Sequence, residues 1–424
     1  MKQTQLDQRW DIIVAGGGPG GVNAAVAAAR RGASVLLVER YGYLGGMATA
    51  GLINPFMAYT VQTTGQVLTT GVFNEILDRL ESHGGLAKDR ATFDDEQMKL
   101  VLDELTAEAG AHVLLHSFVN GVEVKDGQIQ SIRITGKSGE LNLRARIFVD
   151  STGDGDLAAL AGCRIEVGRA EDGLCQPMTL CFRVAGVDMA AYAGEEFYHW
   201  GHPLRFEVER VYQEAKVRGE ITNPREDVLI FATLRLDVLH FNTTRIIRHS
   251  ALDVLSLTEA EQIGRRQVVE MVALLKREIP AFRHAYLQKM AAHIGVRESR
   301  RVLGQYILTA DEILTGAKFS DGIALSVYPV DIHNPAGTGT VLKHLPEGEY
   351  YEIPFRCLVP LNSRNLLIGS RCISATHEAH SSLRVMPVVA GIGEAAGIAA
   401  ALCIQRGIST AAVDGLEIRR AIGI

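Results

Sequence analysis

The chain has 424 residues, enough to bury a large core and to hold two interwoven domains. Its formal net charge is −6, and basic residues form no run longer than a pair such as Arg30-Arg31 or Arg300-Arg301, which excludes nucleic acid as the main partner. Its six cysteines (Cys163, Cys175, Cys181, Cys357, Cys372 and Cys403) follow no C-x-x-C or regular spacing, so reduced thiols are expected in place of a disulfide framework or a zinc site.

The first ten residues are polar and lack the apolar core of a signal peptide, so a cytoplasmic location is expected. A buried strand is expected from Asp11, running through Ala15 into Gly16-Gly17-Gly18-Pro19-Gly20-Gly21 and then a small-residue helix from Val22 to Arg31. Gly16, Gly18 and Gly21 have the spacing that permits a tight turn, close approach of backbone to a pyrophosphate, and close packing of helix on strand. A second strand, Ser34 to Glu39, ends in a carboxylate placed to accept hydrogen bonds from a ribose and to repel a 2′-phosphate there. A second glycine turn, Tyr43-Leu44-Gly45-Gly46-Met47-Ala48-Thr49, follows where a plain nicotinamide domain would proceed to its next helix. Two such turns point to a cofactor longer than NAD.

Phe93 to Ala109 has the pattern of an amphipathic helix. Val113 to Leu115, Phe118 to Val124, Ile129 to Thr135 and Leu141 to Ala145 alternate with turns and are expected to form a β-meander. Ile147 to Asp154 restores an apolar strand with a polar end, the form of a parallel strand reaching a cofactor at its carboxyl edge. From about Gly162 to Tyr351 strands such as Thr179 to Val184 and Ile230 to Leu236 mix with long helices, including Glu259 to Glu278, which suggests an insert. The expected division is residues 1–162, an inserted α+β substrate or cap domain at 163–355, and a return to the first domain at 356–424. Leu366 to Arg371 is a late buried strand, and Met386 to Ile404 is a Gly/Ala-rich helix containing Glu394, expected to be buried and not to span a membrane.

Gly16-x-Gly18-x-x-Gly21, Glu39, Gly45 to Thr49, Asp150-Ser151-Thr152-Gly153-Asp154-Gly155-Asp156 and Arg384-Val385-Met386-Pro387 with Gly393-x-Ala395-Ala396-Gly397 together resemble the FAD-dependent oxidoreductases of the glutathione-reductase-like fold. Gly295 to Arg301, Tyr328 to His333 and Ile353 to Pro360 resemble, more narrowly, the large bacterial family labelled simply FAD-dependent oxidoreductase, itself distantly similar to the fumarate reductase and succinate dehydrogenase flavoproteins. The resemblance implies an α/β fold, a Rossmann-like FAD-binding domain interrupted by the insert. It implies FAD contacts at Gly16, Gly18, Pro19, Gly20, Gly21, Glu39 and Arg40, at Gly45, Gly46, Met47, Ala48 and Thr49, at Val119, and at Thr152, Gly153, Asp154 and Asp156. Toward the C-terminus it implies Arg371, Arg384, Val385, Met386, Gly393 and Ala396. The N-terminus of the last helix would point partial positive charge at the flavin N1 and C2 carbonyl, raising its reduction potential. With no His or Cys between Met47 and Thr49, the FAD is expected to be non-covalent. Asp154 and Asp156 admit a second reading as helix N-caps.

For chemistry, the expected candidates are Arg300 or Arg301 as an anchor for a carboxylate, His333 as a near-neutral proton carrier on a loop, and His377 or His380 near the substrate from a Ser/Thr-rich loop. Arg297, Arg300 and Arg301 recur at helix-like spacing, for which a salt-bridged helix face is an equal reading. His377 and His380 lack the His-Glu-x-x-His spacing, so no metal is expected. The redox cysteine pair of disulfide reductases, the Trp-x-Trp segment of flavin halogenases and the Gly-Asp-Ala of aromatic hydroxylases are missing, as is a second nicotinamide fingerprint. The expected activity is hydride transfer between flavin N5 and a small organic substrate, with the electron partner open among a carrier protein, a quinone, dioxygen and a nicotinamide. A flavin-binding accessory or electron-relay subunit is the alternative.

Overall fold

The computed structural model describes residues 9–69, 71–192 and 202–424; the polar residues 1–8 and Trp200 lie outside them. The fold is mixed α/β. Strand β1 (Arg9–Ala15) is apolar at consecutive positions and buried on both faces, as a central parallel strand must be. It leads through the glycine turn into helix α1 (Pro19–Ala29), with Pro19 at the first helical position, where its missing N–H costs nothing. Parallel to β1 run β2 (Val35–Val38), β3 (His112–Leu114) beyond it, and the second half of β6 (Gly139–Asp150) on the other side. The strand Leu366–Ile368 then adds to β6, completing a seven-stranded sheet.

Two features differ from the meander expected of residues 113–145. His112–Leu114 belongs to the parallel sheet. Leu141–Ala145 and Ile147–Asp150 are one continuous twelve-residue strand, β6. Its first part alternates between exposed and buried and pairs antiparallel with β5 (Gln128–Gly136), which in turn pairs with β4 (Phe118–Lys125); its last four residues are all buried and lie in the parallel sheet. One strand thus serves both a half-solvated and a fully covered sheet, and the change in burial pattern marks the transition.

The register brings four strand ends to one edge. Ala15 lies opposite both Val38 and Asp150, and Ile368 lies opposite Asp150. The residues that follow, Gly16, Glu39, Ser151 and Gly369, therefore sit together at the carboxyl edge, where open α/β sheets bind ligands.

The last long helix, Met386–Arg406, is apolar and long enough to cross a bilayer, with a mean hydropathy of 1.8, but it is packed inside the molecule against α1. The contact is backbone on backbone: a Cβ on Gly393 would fall 2.0 Å from the Gly20 carbonyl oxygen, and one on Gly397 2.2 Å from that of Ala24. The small residues are a packing requirement.

A separate four-stranded antiparallel sheet is ordered Tyr286–Met290, Phe182–Ala185, Val238–Phe241 and Ile230–Phe231. The helices Pro203–Val217 and Val254–Glu278 accompany it around a core that includes Phe182, Phe241 and Phe282. The strand expected to reach Leu236 stops at Phe231, because Thr233 turns the chain by accepting a hydrogen bond from the Arg235 N–H. Val302, Ile323, Val330, Tyr351 and Ile353 pack in the same core as β1 and the last helix.

Two local expectations near the site are corrected. Arg297 to Arg301 is not helical: residues 297–299 lie outside any element, and Arg300–Val302 is a strand that pairs antiparallel with Ile165–Val167. His377–Leu383 is a helix and not a loop: the Thr376 side chain caps it by accepting a hydrogen bond from the Ala379 N–H.

Candidate active site

A cavity enclosing about 940 Å³, part of it open to solvent, lies along the carboxyl edge of the sheet. The three fingerprint glycines divide their labour around it. Gly16 has φ +99°, and a Cβ there would lie 2.3 Å from the Ser151 carbonyl oxygen; a Cβ on Gly21 would lie 1.8 Å from that of Gly16. Both positions are closed by the protein's own backbone. Gly18 is different: its φ is −72°, and a Cβ would meet nothing nearer than the Gly46 Cα at 3.9 Å. Its bare surface faces the cavity, at the N-terminus of α1, whose first turn carries no acidic residue.

Gly16, Gly18, Pro19, Gly20, Glu39, Arg40, Gly46, Met47 and Val119 border this cavity, as do Thr152, Gly153, Asp154, Asp156, Arg371, Arg384 and Met386. Gly21, Gly45, Ala48, Thr49, Gly393 and Ala396 do not. Gly21 and Gly393 are spent on packing against backbone, and Thr49 donates its hydroxyl to the Leu44 carbonyl at 2.7 Å, holding the second glycine turn. Tyr41, Ser117, Phe118 and His293 also line the cavity, and no sequence motif marked them.

Glu39 accepts hydrogen bonds from the Gly17 N–H at 2.6 Å and the Tyr41 N–H at 2.9 Å, which fixes its carboxylate at the cavity wall with lone pairs to spare. Burial raises its pKa, against these two N–H groups. Neither Asp154 nor Asp156 caps a helix: the cap position of Asp156–Leu160 is Gly155. Asp154 is paired to Arg371 at 2.7 Å and accepts from the Ser299 hydroxyl at 2.7 Å, and Asp156 is paired to Arg300 at 2.8 Å. Burial works against the charge on Asp154, but Arg371 and Ser299 hold its pKa below the ordinary value.

A second cavity, about 1480 Å³ and also partly open, adjoins the first. Five residues border both: Met47, Val296, Arg371, Arg384 and Met386. The two arginines each carry a buried Nε with no protein acceptor. Val385 borders only the second cavity, where Arg225, Arg297, Tyr328, Asp331 and His333 come together from segments distant in sequence.

Of the expected reacting groups, His333 alone is on a cavity wall. It ends the strand Val330–His333, and its ring is fully engaged. Arg245 can only donate, so at 2.9 Å it makes Nδ1 an acceptor; the proton then sits on Nε2, 3.5 Å from the Asp331 carboxylate. Burial and then Arg297 lower its pKa to about 3, so the near-neutral value expected for it is not found. The ring nitrogen signals of His333 are expected to remain those of a neutral imidazole from pH 8 to pH 5; nitrogen-15 NMR would expose a titration in that range.

Arg300 stands behind Asp156. Arg301 is buried, donating to Glu298 at 2.5 Å and to the Ala375 and Gly168 carbonyls. His377 joins the same carboxylate at 2.8 Å. His380 is buried with neither ring nitrogen bonded, and burial lowers its pKa to about 3. None of these four borders either cavity.

The model of the family described as FAD dependent oxidoreductase matches residues 11–422. A digeranylgeranylglycerophospholipid reductase of Methanocella arvoryzae is 28% identical over 162 residues, 35% of this chain and 40% of that protein. A thiamine thiazole synthase of Aeropyrum pernix is 30% identical over 163 residues, 34% of this chain and 55% of its own length. The chain thus covers between two fifths and just over half of these curated relatives. Among solved structures, the flavin-dependent brominase Bmp2 aligns over 98% of this chain and 83% of its own with a TM-score of 0.49 and 12% identity. The p-nitrophenol 4-monooxygenase PnpA of Pseudomonas putida aligns over 95% and 82%, with a TM-score of 0.48 and 11% identity. The glycine cradle left open at Gly18 and the cavity along the strand ends fit FAD, the cofactor that the family match assigns. The chain belongs to the FAD dependent oxidoreductase family.

Proposed function

We propose that the first cavity holds FAD non-covalently and that the second holds a small organic substrate, the two meeting at the wall formed by Met47, Val296, Arg371, Arg384 and Met386. That shared wall is the observation that carries the reading. Glu39 would accept from the adenosine ribose, and the open backbone at Gly18 would receive the pyrophosphate. FAD, when bound, supplies a hydride donor or acceptor at its N5.

The chain's own groups orient and exclude. Arg384 is steered by Asp331 at 3.3 Å and Arg371 by Asp154 at 2.7 Å, so both guanidinium groups are held where the cavities join. The Tyr328 hydroxyl donates to Asp331 at 2.9 Å; burial and that carboxylate raise its pKa, so the phenol keeps its proton at neutral pH beside the substrate space. We assign His333 a positioning role, since its two nitrogens are committed to Arg245 and Asp331.

The parallel order β3-β2-β1-β6 closed by Leu366–Ile368 supports the glutathione-reductase-like subtype, with residues 163–355 as the insert. The distant likeness to the fumarate reductase flavoproteins rests on the same motifs.

The purified chain is expected to show flavin absorption bands and to release all of its colour as FAD on denaturation, identified by chromatography. Colour retained on the denatured polypeptide would overturn non-covalent binding, and a colourless chain that cannot be reconstituted would overturn the cofactor site. Bleaching by a small substrate in the isolated protein supports a complete enzyme. Reduction only in the presence of a protein partner would favour the electron-relay alternative.

A further inference from the structure

The second cavity carries a positive charge that the chain itself leaves without a partner. Four arginines line it: Arg225, Arg297, Arg371 and Arg384. Three are neutralised internally, Arg225 by Asp227 at 2.9 Å, Arg371 by Asp154 at 2.7 Å and Arg384 by Asp331 at 3.3 Å. The other carboxylate on the wall, Glu226, is taken from behind by Arg245 at 2.9 Å. Arg297 is left over. It is 8% exposed, and among the described residues it makes one hydrogen bond, Nη1 to the Pro177 carbonyl at 2.6 Å, and no ion pair.

A buried cation without a counter-ion is costly, and the cost falls when an anion arrives. Burial, with Arg384, Arg225 and Arg245 nearby, outweighs the pull of Asp331, which is itself paired to Arg384, and lowers the pKa of Arg297 to about 9, which leaves it charged at neutral pH with one hydrogen-bond acceptor, the Pro177 carbonyl. Arg297 borders the second cavity and not the first, so it is set apart from the cofactor phosphates and faces the substrate space. The charge to be balanced is one. A doubly charged phosphate would also face Glu226, Asp227 and Asp331, whereas the rest of the wall includes Ile53, Met57, Leu229 and Leu342 and suits an apolar body.

On the proposed assignment of the second cavity to substrate, we infer that the substrate is a small organic monoacid. Its carboxylate pairs with Arg297, its apolar body lies toward Leu229 and Leu342, and its reacting carbon is turned to the border at Arg384 and Met386. Arg297 is then the residue that selects acids over their neutral analogues. The sequence offered Arg300 and Arg301 for this task, yet both are consumed by Asp156 and Glu298.

The test is a titration of the FAD-loaded full chain, followed by its flavin absorption spectrum, with straight-chain carboxylates from acetate to octanoate, benzoate, the matching primary amides, and inorganic phosphate. Saturable spectral shifts with carboxylates, absent with amides and phosphate, are expected. Arg297→Met should weaken the carboxylate response about 10- to 100-fold while retaining FAD, the effect of losing a charge-assisted pair. Arg297→Lys, which keeps the cation, should retain weakened acid selectivity and provides the reading if the methionine variant does not fold. Equal response to amide and acid, no response to any carboxylate, or unchanged selectivity in both variants would overturn the inference. Failure of the parent protein to bind FAD would instead overturn the cofactor assignment, which is scored separately by the flavin spectrum before any titrant is added.

Discussion

Gly18→Ala is expected to give a folded protein that has lost FAD, whereas Gly21→Ala, three residues on, is expected not to accumulate as folded protein. The difference follows from what a methyl group would meet. At Gly18 it has 3.9 Å of clearance from the nearest protein atom and an ordinary φ of −72°, so alanine is accommodated by the fold. It would stand in the space proposed for the pyrophosphate, and losing even one charge-assisted contact there costs about 1.5–3 kcal/mol, or roughly 10- to 150-fold in affinity. At Gly21 the methyl would lie 1.8 Å from the Gly16 carbonyl oxygen. Only movement of α1 away from the sheet relieves that clash, and α1 is also locked to the last helix through Gly20 and Gly393. The expected cost exceeds about 4 kcal/mol, in the range reserved for core disruption. Circular dichroism and flavin content of the two purified variants check both statements. Full FAD occupancy in Gly18→Ala would refute the assignment of that surface to the cofactor.

Glu298→Gln is expected to lower stability by about 3–5 kcal/mol, because it strips the counter-charge from a buried arginine. Glu298 is 1% exposed. It takes Arg301 at 2.5 Å, His377 at 2.8 Å and the Gln176 N–H at 2.9 Å. Burial alone would raise its pKa, but His377 and the neighbouring His380 hold it below the ordinary value. The sign follows: a depressed carboxylate pKa stabilises the fold above the unfolded value, near 4.5, and that contribution is lost as pH falls through the folded value. The thermal midpoints of parent and variant should therefore converge as the solution is acidified below about pH 4.5. A variant of unchanged stability at pH 7 that had lost substrate turnover would return Arg301 and His377 to the catalytic role that their motif first suggested.

The wall of the first cavity was largely legible along the chain. Gly16, Gly18, Glu39 and Asp154 lie within four residues of strand ends of one sheet, and strand ends are set by local hydrophobic pattern. The substrate side was not. Arg297, Arg300 and Arg301 are chemically alike and close in sequence, and only their surroundings separate them: the second cavity for the first, Asp156 for the second and Glu298 for the third. His333 was expected on a loop as a near-neutral proton carrier, but it ends the strand Val330–His333, and burial and the donor Arg245, 88 residues away, set the ring's state.

The sequence by itself determined the glycine turn, the acidic end of β2 and the small-residue last helix, since each depends on backbone sterics within a few residues or on a regular period. Which arginine stays unpaired, which histidine is neutral, and where two cavities share a wall were decided only by the tertiary structure. Charge pairing and desolvation depend on distances between segments that the chain order does not contain.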